Sequence, residues 1–274
     1  MSLFSVDEAK CKRDGICVAE CPMRIIELKD AESTPSPSSD AEELCINCGH
    51  CVAVCPHGAL SLTTMPVEAC PPVRKEWLLD EEQAEHFLRY RRSIRIYKNE
   101  PVDRSVIQRL IDVARFAPSG HNAQPVRWLV IYDSREVQRL AGLCIDWMRF
   151  VIKEQPAFAK MLHMDRVVGR WEEGFDPICR SAPHVIVAHA EKQNRAAPVA
   201  CTIALTYLEL AVPSFGLGAC WAGFLNAAAM LWPPMQEALA LPEGHSSMGA
   251  MMIGFPKFKY HRLPQRNEAR ITWR

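Results

Sequence analysis

Apolar residues at Val106, Leu110, Val113, Ala114 and Ala117 recur at helical spacing. Residues 103–117 are therefore expected to form an amphipathic helix, capped by Asp103 and stopped by Pro118. Just upstream, Asp80–Arg92 (DEEQAEHFLRYRR) predicts a helix with an acidic first turn and a basic last turn, the sense that suits the helix dipole. Short runs rich in β-branched and aromatic residues, Val126–Tyr132, Val185–Ala188 and Met248–Phe255, predict strands. Ala200–Val212 predicts a buried helix. Helices alternating with short strands imply an α+β or α/β domain, and no internal repeat is visible in it.

Between Arg195 and Glu237 the only charge is Glu209, and the stretch is long enough to cross a bilayer. Pro213, Gly216 and Gly218 interrupt it, and Pro233-Pro234 ends it, so a buried helix followed by a buried strand is expected, and no membrane span. The chain opens MSLFSVDEAK, where charge follows at once with no apolar leader, which points to a cytoplasmic protein. Residues 31–43 (AESTPSPSSDAEE) read as an exposed loop, and 66–80 as a Pro-rich linker. The expected domains are thus 1–65 and 81–274.

Composition supports two modules. Hydrophobic residues are 49% and charged residues 23%, so the chain is globular. Net charge is +0, which argues against a general nucleic-acid binder. The balance conceals an asymmetry: residues 1–80 carry 7 Lys and Arg against 13 Asp and Glu, and the remainder carries 25 against 19. Of 12 cysteines, seven fall between Cys11 and Cys55. Without secretion, that concentration favours metal over disulfides.

The sharpest motif is Cys45-Ile-Asn-Cys48-Gly-His-Cys51-Val-Ala-Val-Cys55-Pro56, the C-x2-C-x2-C-x3-C-P run of bacterial ferredoxins; zinc is the alternative for paired C-x2-C. Upstream, Cys11-Lys-Arg-Asp14-Gly-Ile-Cys17-Val-Ala-Glu-Cys21-Pro22 repeats the register with Asp14 at the second cysteine position. Over roughly residues 5–65 the chain resembles two-cluster bacterial ferredoxins. By that family's crossed ligation, Cys45, Cys48, Cys51 and Cys21 would hold a 4Fe–4S cluster, and Cys11, Cys17 and Cys55 the other. Carboxylate is a harder, weaker ligand than thiolate. Three readings of Asp14 stand: ligand of a 4Fe–4S cluster, neighbour of a 3Fe–4S cluster, or plain turn residue before Gly15. Cys70, Cys144, Cys179, Cys201 and Cys220 lack ligand spacing and read as structural thiols. His50 and His57 read as solvated or supporting groups.

The second half holds four further segments. Arg91-Arg92-Ser93-Ile94-Arg95-Ile96-Tyr97 concentrates guanidinium groups suited to phosphate, though a solvated basic helix end has the same composition. Residues 117–125 (APSGHNAQP) form a turn of small residues and amides that could face a polar ring or merely connect two elements. Residues 216–224 (GLGACWAGF) and 254–267 (GFPKFKYHRLPQRN) follow. In that order the four resemble the FMN-dependent nitroreductase family over about residues 80–274. The resemblance implies an α+β fold, a nitroreductase-like FMN domain behind a small ferredoxin-like iron–sulfur domain, built as an intertwined homodimer with FMN at the interface. It implies that Arg91, Arg92, Ser93 and Arg95 bind the ribityl phosphate end and that Arg266 closes on the phosphate. It places Pro118, Ser119 and Asn122 against the flavin of the partner subunit, with Gln124 nearby, and the N–H groups of Ala222 and Gly223 near N5. The family often has Lys after the tail arginine; Asn267 stands there, so Arg262 is an alternative. His121 reads as a hydrogen-bonded turn residue before a proton donor, and no catalytic side chain is singled out.

The expected activity is an FMN-dependent oxidoreductase that passes electrons from two iron–sulfur clusters to FMN and on to a small-molecule acceptor such as a nitroaromatic, quinone or activated alkene. External ferredoxin and NAD(P)H are the candidate donors. No G-x-G-x-x-G follows a strand, so any nicotinamide would have to stack on FMN itself. The competing readings are an electron carrier or redox sensor in which FMN only relays charge, and a specialised flavin-cutting or dehalogenating relative.

Overall fold

The computed structural model describes residues 2–274 and divides into two compact units. The first runs to Leu78 and includes His121–Ala123; the second comprises Leu79–Gly120 and Gln124–Arg274.

The first unit contains β1 (Phe4–Val6), α1 (Ile16–Glu20), β2 (Ile26–Glu27), β3 (Ser36–Pro37), α2 (Ala41–Leu44), α3 (His50–Val54) and β4 (Leu60–Leu62). Its ends are stitched by the antiparallel pair β1–β4, with Phe4 opposite Leu62 and Val6 opposite Leu60. β2 pairs with β3. Phe4, Ile25, Ile26, Ala41, Val52, Leu60 and Leu62 form a small apolar core shared with Cys17, Cys21 and Cys51. The two cysteine runs share one backbone path. Arg13 and Asn47 are left-handed (φ 56° and 51°), and so are the glycines two residues on, Gly15 and Gly49 (φ 70° and 74°). Each glycine opens a five-residue helix that ends on an extended cysteine, Cys21 after α1 and Cys55 after α3. Glycine adopts this φ without a Cβ clash, so the tight entry recurs where the sequence supplies it.

In the second unit, α4 (Glu81–Tyr90) begins with a capping box between Asp80 and Gln83. α5 (Arg104–Ala114) is capped by Asp103 and stops three residues earlier than expected. Its buried face is Ile107, Leu110 and Ala114, while Val113 is 42% exposed, so the stripe is rotated from the one the sequence suggested. There follow β5 (Arg127–Ile131), α6 (Ser134–Glu154), α7 (Pro156–Met161), α8 (Met164–Glu172), β6 (His184–Glu191), α9 (Ala197–Ala211), β7 (Gly218–Trp221), α10 (Gly223–Leu231), α11 (Pro233–Leu239) and β8 (His245–Gly254).

The sheet order is β5-β6-β8-β7, antiparallel at every pairing, with a register shift at Ala188/His189. Alternation along β6 sends Val185 and Val187 to one core, with α6, α8, α10 and α11. Ile186, Ala188 and Ala190 go to the other, with α5 and α9. Ala197–Phe215 is long and apolar enough, by length and composition, to cross a membrane. It buries only one face: Cys201, Leu205 and Leu208 join the core with Ile186 and Met251 of the sheet, while Val199 is 63% exposed. The expected buried helix is present and is buried along one side. At the free side of β7, Ser93 bridges Ala219 in parallel and the Ile94 N–H donates to the Ala219 carbonyl at 2.8 Å.

Candidate functional site

The eight residues picked out by register in the first unit gather in two groups. Cys21, Cys45, Cys48 and Cys51 line one cavity with Phe4, Ile26 and Leu62. Cys11, Asp14, Cys17 and Cys55 line another with Val6 and Leu60. The grouping is crossed: Cys21 leaves its own run for the later one, and Cys55 does the reverse. Burial pushes the Cys51 thiol up to about 11, and the neighbouring Cys48 and Cys21 add to the shift. Burial likewise raises Cys17, helped by Cys55 and Cys11. Buried thiols that resist ionisation, as Cys17 and Cys51 do, suit a cationic iron core that would bind them as thiolates. The Ala59 N–H donates to Cys55 Sγ at 3.3 Å, a contact that tunes cluster thiolates. Asp14 Oδ1 accepts the Ile16 N–H at 3.2 Å, so the carboxylate also closes its own turn. Outside the donor sets, His50 Nδ1 lies 3.0 Å from Glu20 Oε1.

In the second unit a cavity of about 450 Å³ is lined by Arg92, Ile94, Glu209, Gly216–Ala219, Lys259 and His261. That size suits a cofactor-sized ligand. The arginine segment does not act as one grip. Arg92 lines the cavity, its Nε donating to the Arg91 carbonyl at 2.7 Å. Arg91 instead donates to Glu209 Oε1 at 2.8 Å, with Ser93 Oγ at 3.5 Å. Arg95 donates to the Ser93 carbonyl at 3.4 Å. Burial raises the Cys220 thiol, and Arg95, Ser93 and Arg180 oppose the shift, which places these groups beside β7. A Cβ at Gly216 (φ 71°) or Gly223 would meet nothing within 4 Å, so both positions leave room for a ligand. Phosphate-sized charge at Arg92, an apolar wall at Ile94 and open glycine backbone together fit a flavin nucleotide.

Two further segments hold residues expected at the flavin. The Ala222 N–H is spent on the Ala250 carbonyl at 2.8 Å, which leaves Gly223, at the start of α10, as the backbone donor of the pair. Arg266 and Arg262 lie on the exposed tail, while Lys259 and His261 of that tail reach the cavity. Ala117–Pro125 forms a turn in which the Gln124 N–H donates to Ser119 Oγ at 2.9 Å, next to Pro118. His121, Asn122 and Gln124 are all left-handed there (φ 52°, 50° and 45°), a conformation L residues hold only when surroundings impose it. Within the first unit, Asn122 Nδ2 donates to the Asn47 carbonyl at 2.8 Å. Sequence reading missed Lys259, Arg180 and the partners of Glu209; only the isolation of Glu209 in an apolar stretch hinted at the last.

The α+β core and the paired sulfur cavities define a two-module oxidoreductase. Residues 88–255 match the nitroreductase family, and the chain belongs to it. Residues 9–60 match the 4Fe-4S dicluster domain. An NADH dehydrogenase of Thermus thermophilus is 26% identical over 201 residues, covering 67% of this chain and 92% of that protein. An iodotyrosine deiodinase of Thermotoga neapolitana is 27% identical over 136 residues, covering 47% of this chain and 67% of that protein. A nitroreductase with bound FMN from Bacteroides fragilis shares the fold with a TM-score of 0.58 at 17% identity, covering 71% of this chain and 100% of that one.

Proposed function

We propose that this chain is an FMN-dependent oxidoreductase that takes electrons through two iron–sulfur clusters, passes them to FMN, and delivers them to a small-molecule acceptor such as a nitroaromatic, quinone or activated alkene. The observation that carries this reading is the crossed grouping of eight donors into two cavities at one end of a nitroreductase-family chain. Cys21, Cys45, Cys48 and Cys51 would hold a 4Fe–4S cluster. Cys11, Cys17 and Cys55, with Asp14, would hold a 4Fe–4S or 3Fe–4S cluster. Arg92 and Lys259 would take the flavin phosphate, and Gly223 would offer its N–H to the ring. Bound FMN supplies the conversion between single electrons and a pair or hydride.

A homodimer belongs to the same proposal. Phe258, Tyr260, Ile271 and Trp273 are exposed on a tail without regular structure, Trp273 to 87%, and α4 has no buried residue. Apolar surface of this kind is normally covered by a partner.

Anaerobic reduction tests the reading. Purified protein is mixed with NADH, NADPH or reduced ferredoxin, and the flavin and cluster absorbances are followed separately. Cluster bleaching that precedes flavin bleaching supports the route. Flavin reduction with the clusters left oxidised by every donor would overturn it. The deiodinase likeness gives one further acceptor class, halogenated phenols, for the same assay.

A further inference from the structure

Glu209 is the only charged residue between Arg195 and Glu237, and its side chain is 7% exposed. Both carboxylate oxygens are used. Oε1 accepts from Arg91 Nη1 at 2.8 Å, and Oε2 accepts the indole N–H of Trp221 at 3.2 Å. Arg91 opens the arginine segment, and Trp221 ends β7 one residue before the Ala222-Gly223 turn. One side chain of α9 therefore ties together two segments that border the cavity, and Glu209 lines that cavity with Arg92 and Gly218.

A buried carboxylate is costly unless paired, and an apolar residue of similar size would pack into α9 at least as well. The charge needs a reason beyond packing. We propose that Glu209 is a positioning residue for the flavin: it fixes Arg91 and Trp221 and cancels the Arg91 charge beside the cavity. This inference rests on the flavin reading above. Two-electron reduction makes a flavin more negative, so an uncompensated guanidinium nearby would favour the reduced form over the oxidised form. The Arg91 side chain is three-quarters buried, and there a unit charge acts on its neighbours more strongly than it does in bulk solvent. Glu209 would thus hold down the preference for reduced flavin and keep it a willing donor.

The test measures FMN dissociation constants for the oxidised and the fully reduced full-length protein, in wild type, Glu209→Gln and Arg91→Gln. In Glu209→Gln the ratio of oxidised to reduced dissociation constants should rise by about tenfold, a modest response for one partly buried charge left uncancelled. In Arg91→Gln it should fall by a similar factor, because Glu209 is then left unpaired. A merely structural tie would weaken both redox states alike and leave the ratio unchanged, and an unchanged ratio in either variant overturns the proposal. Glu209→Gln is nearly isosteric; should it fail to fold, Arg91→Gln decides alone. Absence of FMN binding by wild type would remove the flavin reading itself, a result separate from either ratio.

Discussion

Asp14 occupies the place in its loop that Cys48 occupies in the other. Each precedes a left-handed glycine, Gly15 or Gly49, that opens a five-residue helix. The two loops therefore differ at this point in one donor atom and hardly in backbone. Asp14→Cys should convert the odd cluster to an all-thiolate 4Fe–4S cluster that survives aerobic handling longer. Electron paramagnetic resonance of wild type and variant checks this, and identical cluster signals would show that Asp14 is not a ligand.

Iron and acid-labile sulfide should accompany the anaerobically purified chain at about seven to eight iron atoms for two clusters. Cys51→Ser should lose about half, because Cys51 lines only one of the two cavities. Stoichiometric zinc without sulfide would replace the ferredoxin reading with a zinc site.

Arg92→Ala removes a guanidinium from the cavity wall. A charge-assisted phosphate contact is worth about 1.5–3 kcal/mol, so FMN affinity should fall by about one to two orders of magnitude. Fluorescence titration of the apoprotein measures it. Unchanged affinity would move the phosphate to Lys259 and the tail.

His184 sets a pH dependence. Its Nε2 accepts the Val102 N–H at 2.8 Å, so the ring is neutral and its Nδ1 donates to the Tyr132 carbonyl at 2.7 Å. Burial is the main cause that lowers its pKa below the ordinary 6.5. The unfolded chain then takes up a proton before the folded one as pH falls. Stability is therefore fully present above about pH 6.5 and declines as pH drops toward the folded value. Melting temperatures between pH 7.5 and 5 should fall, and His184→Gln should flatten the slope. His189, lowered mainly by burial, leaves a residual slope.

Short-range chemistry was legible in the sequence. Cysteine register and the paired glycines specify the cluster loops within a dozen residues, and Asp80 with Gln83 announces α4. A full helical stripe also lay open at Val137, Leu140, Ala141, Cys144, Ile145, Met148 and Val151 behind the cap Asp133, although α6 was not anticipated. β7 is the buried strand expected after the Glu209 helix, but its bounds were not legible, because four residues that begin with glycine are too few to show alternation. Arg91 drew notice by its neighbours in the chain, because adjacency is visible and tertiary pairing is not; the carboxylate paired with it lies 118 positions away.

The hydrogen bond from the Ile94 N–H to the Ala219 carbonyl has a second effect. β7 borders the sheet, and a border strand offers free backbone groups to any passing chain. The segment that carries the arginines occupies part of that border and denies it to strangers. Disorder in residues 91–95 would then cost solubility together with cofactor affinity. Apoprotein that loses its grip on this segment should form aggregates seeded at β7, and a ligand that pins the arginines should suppress them.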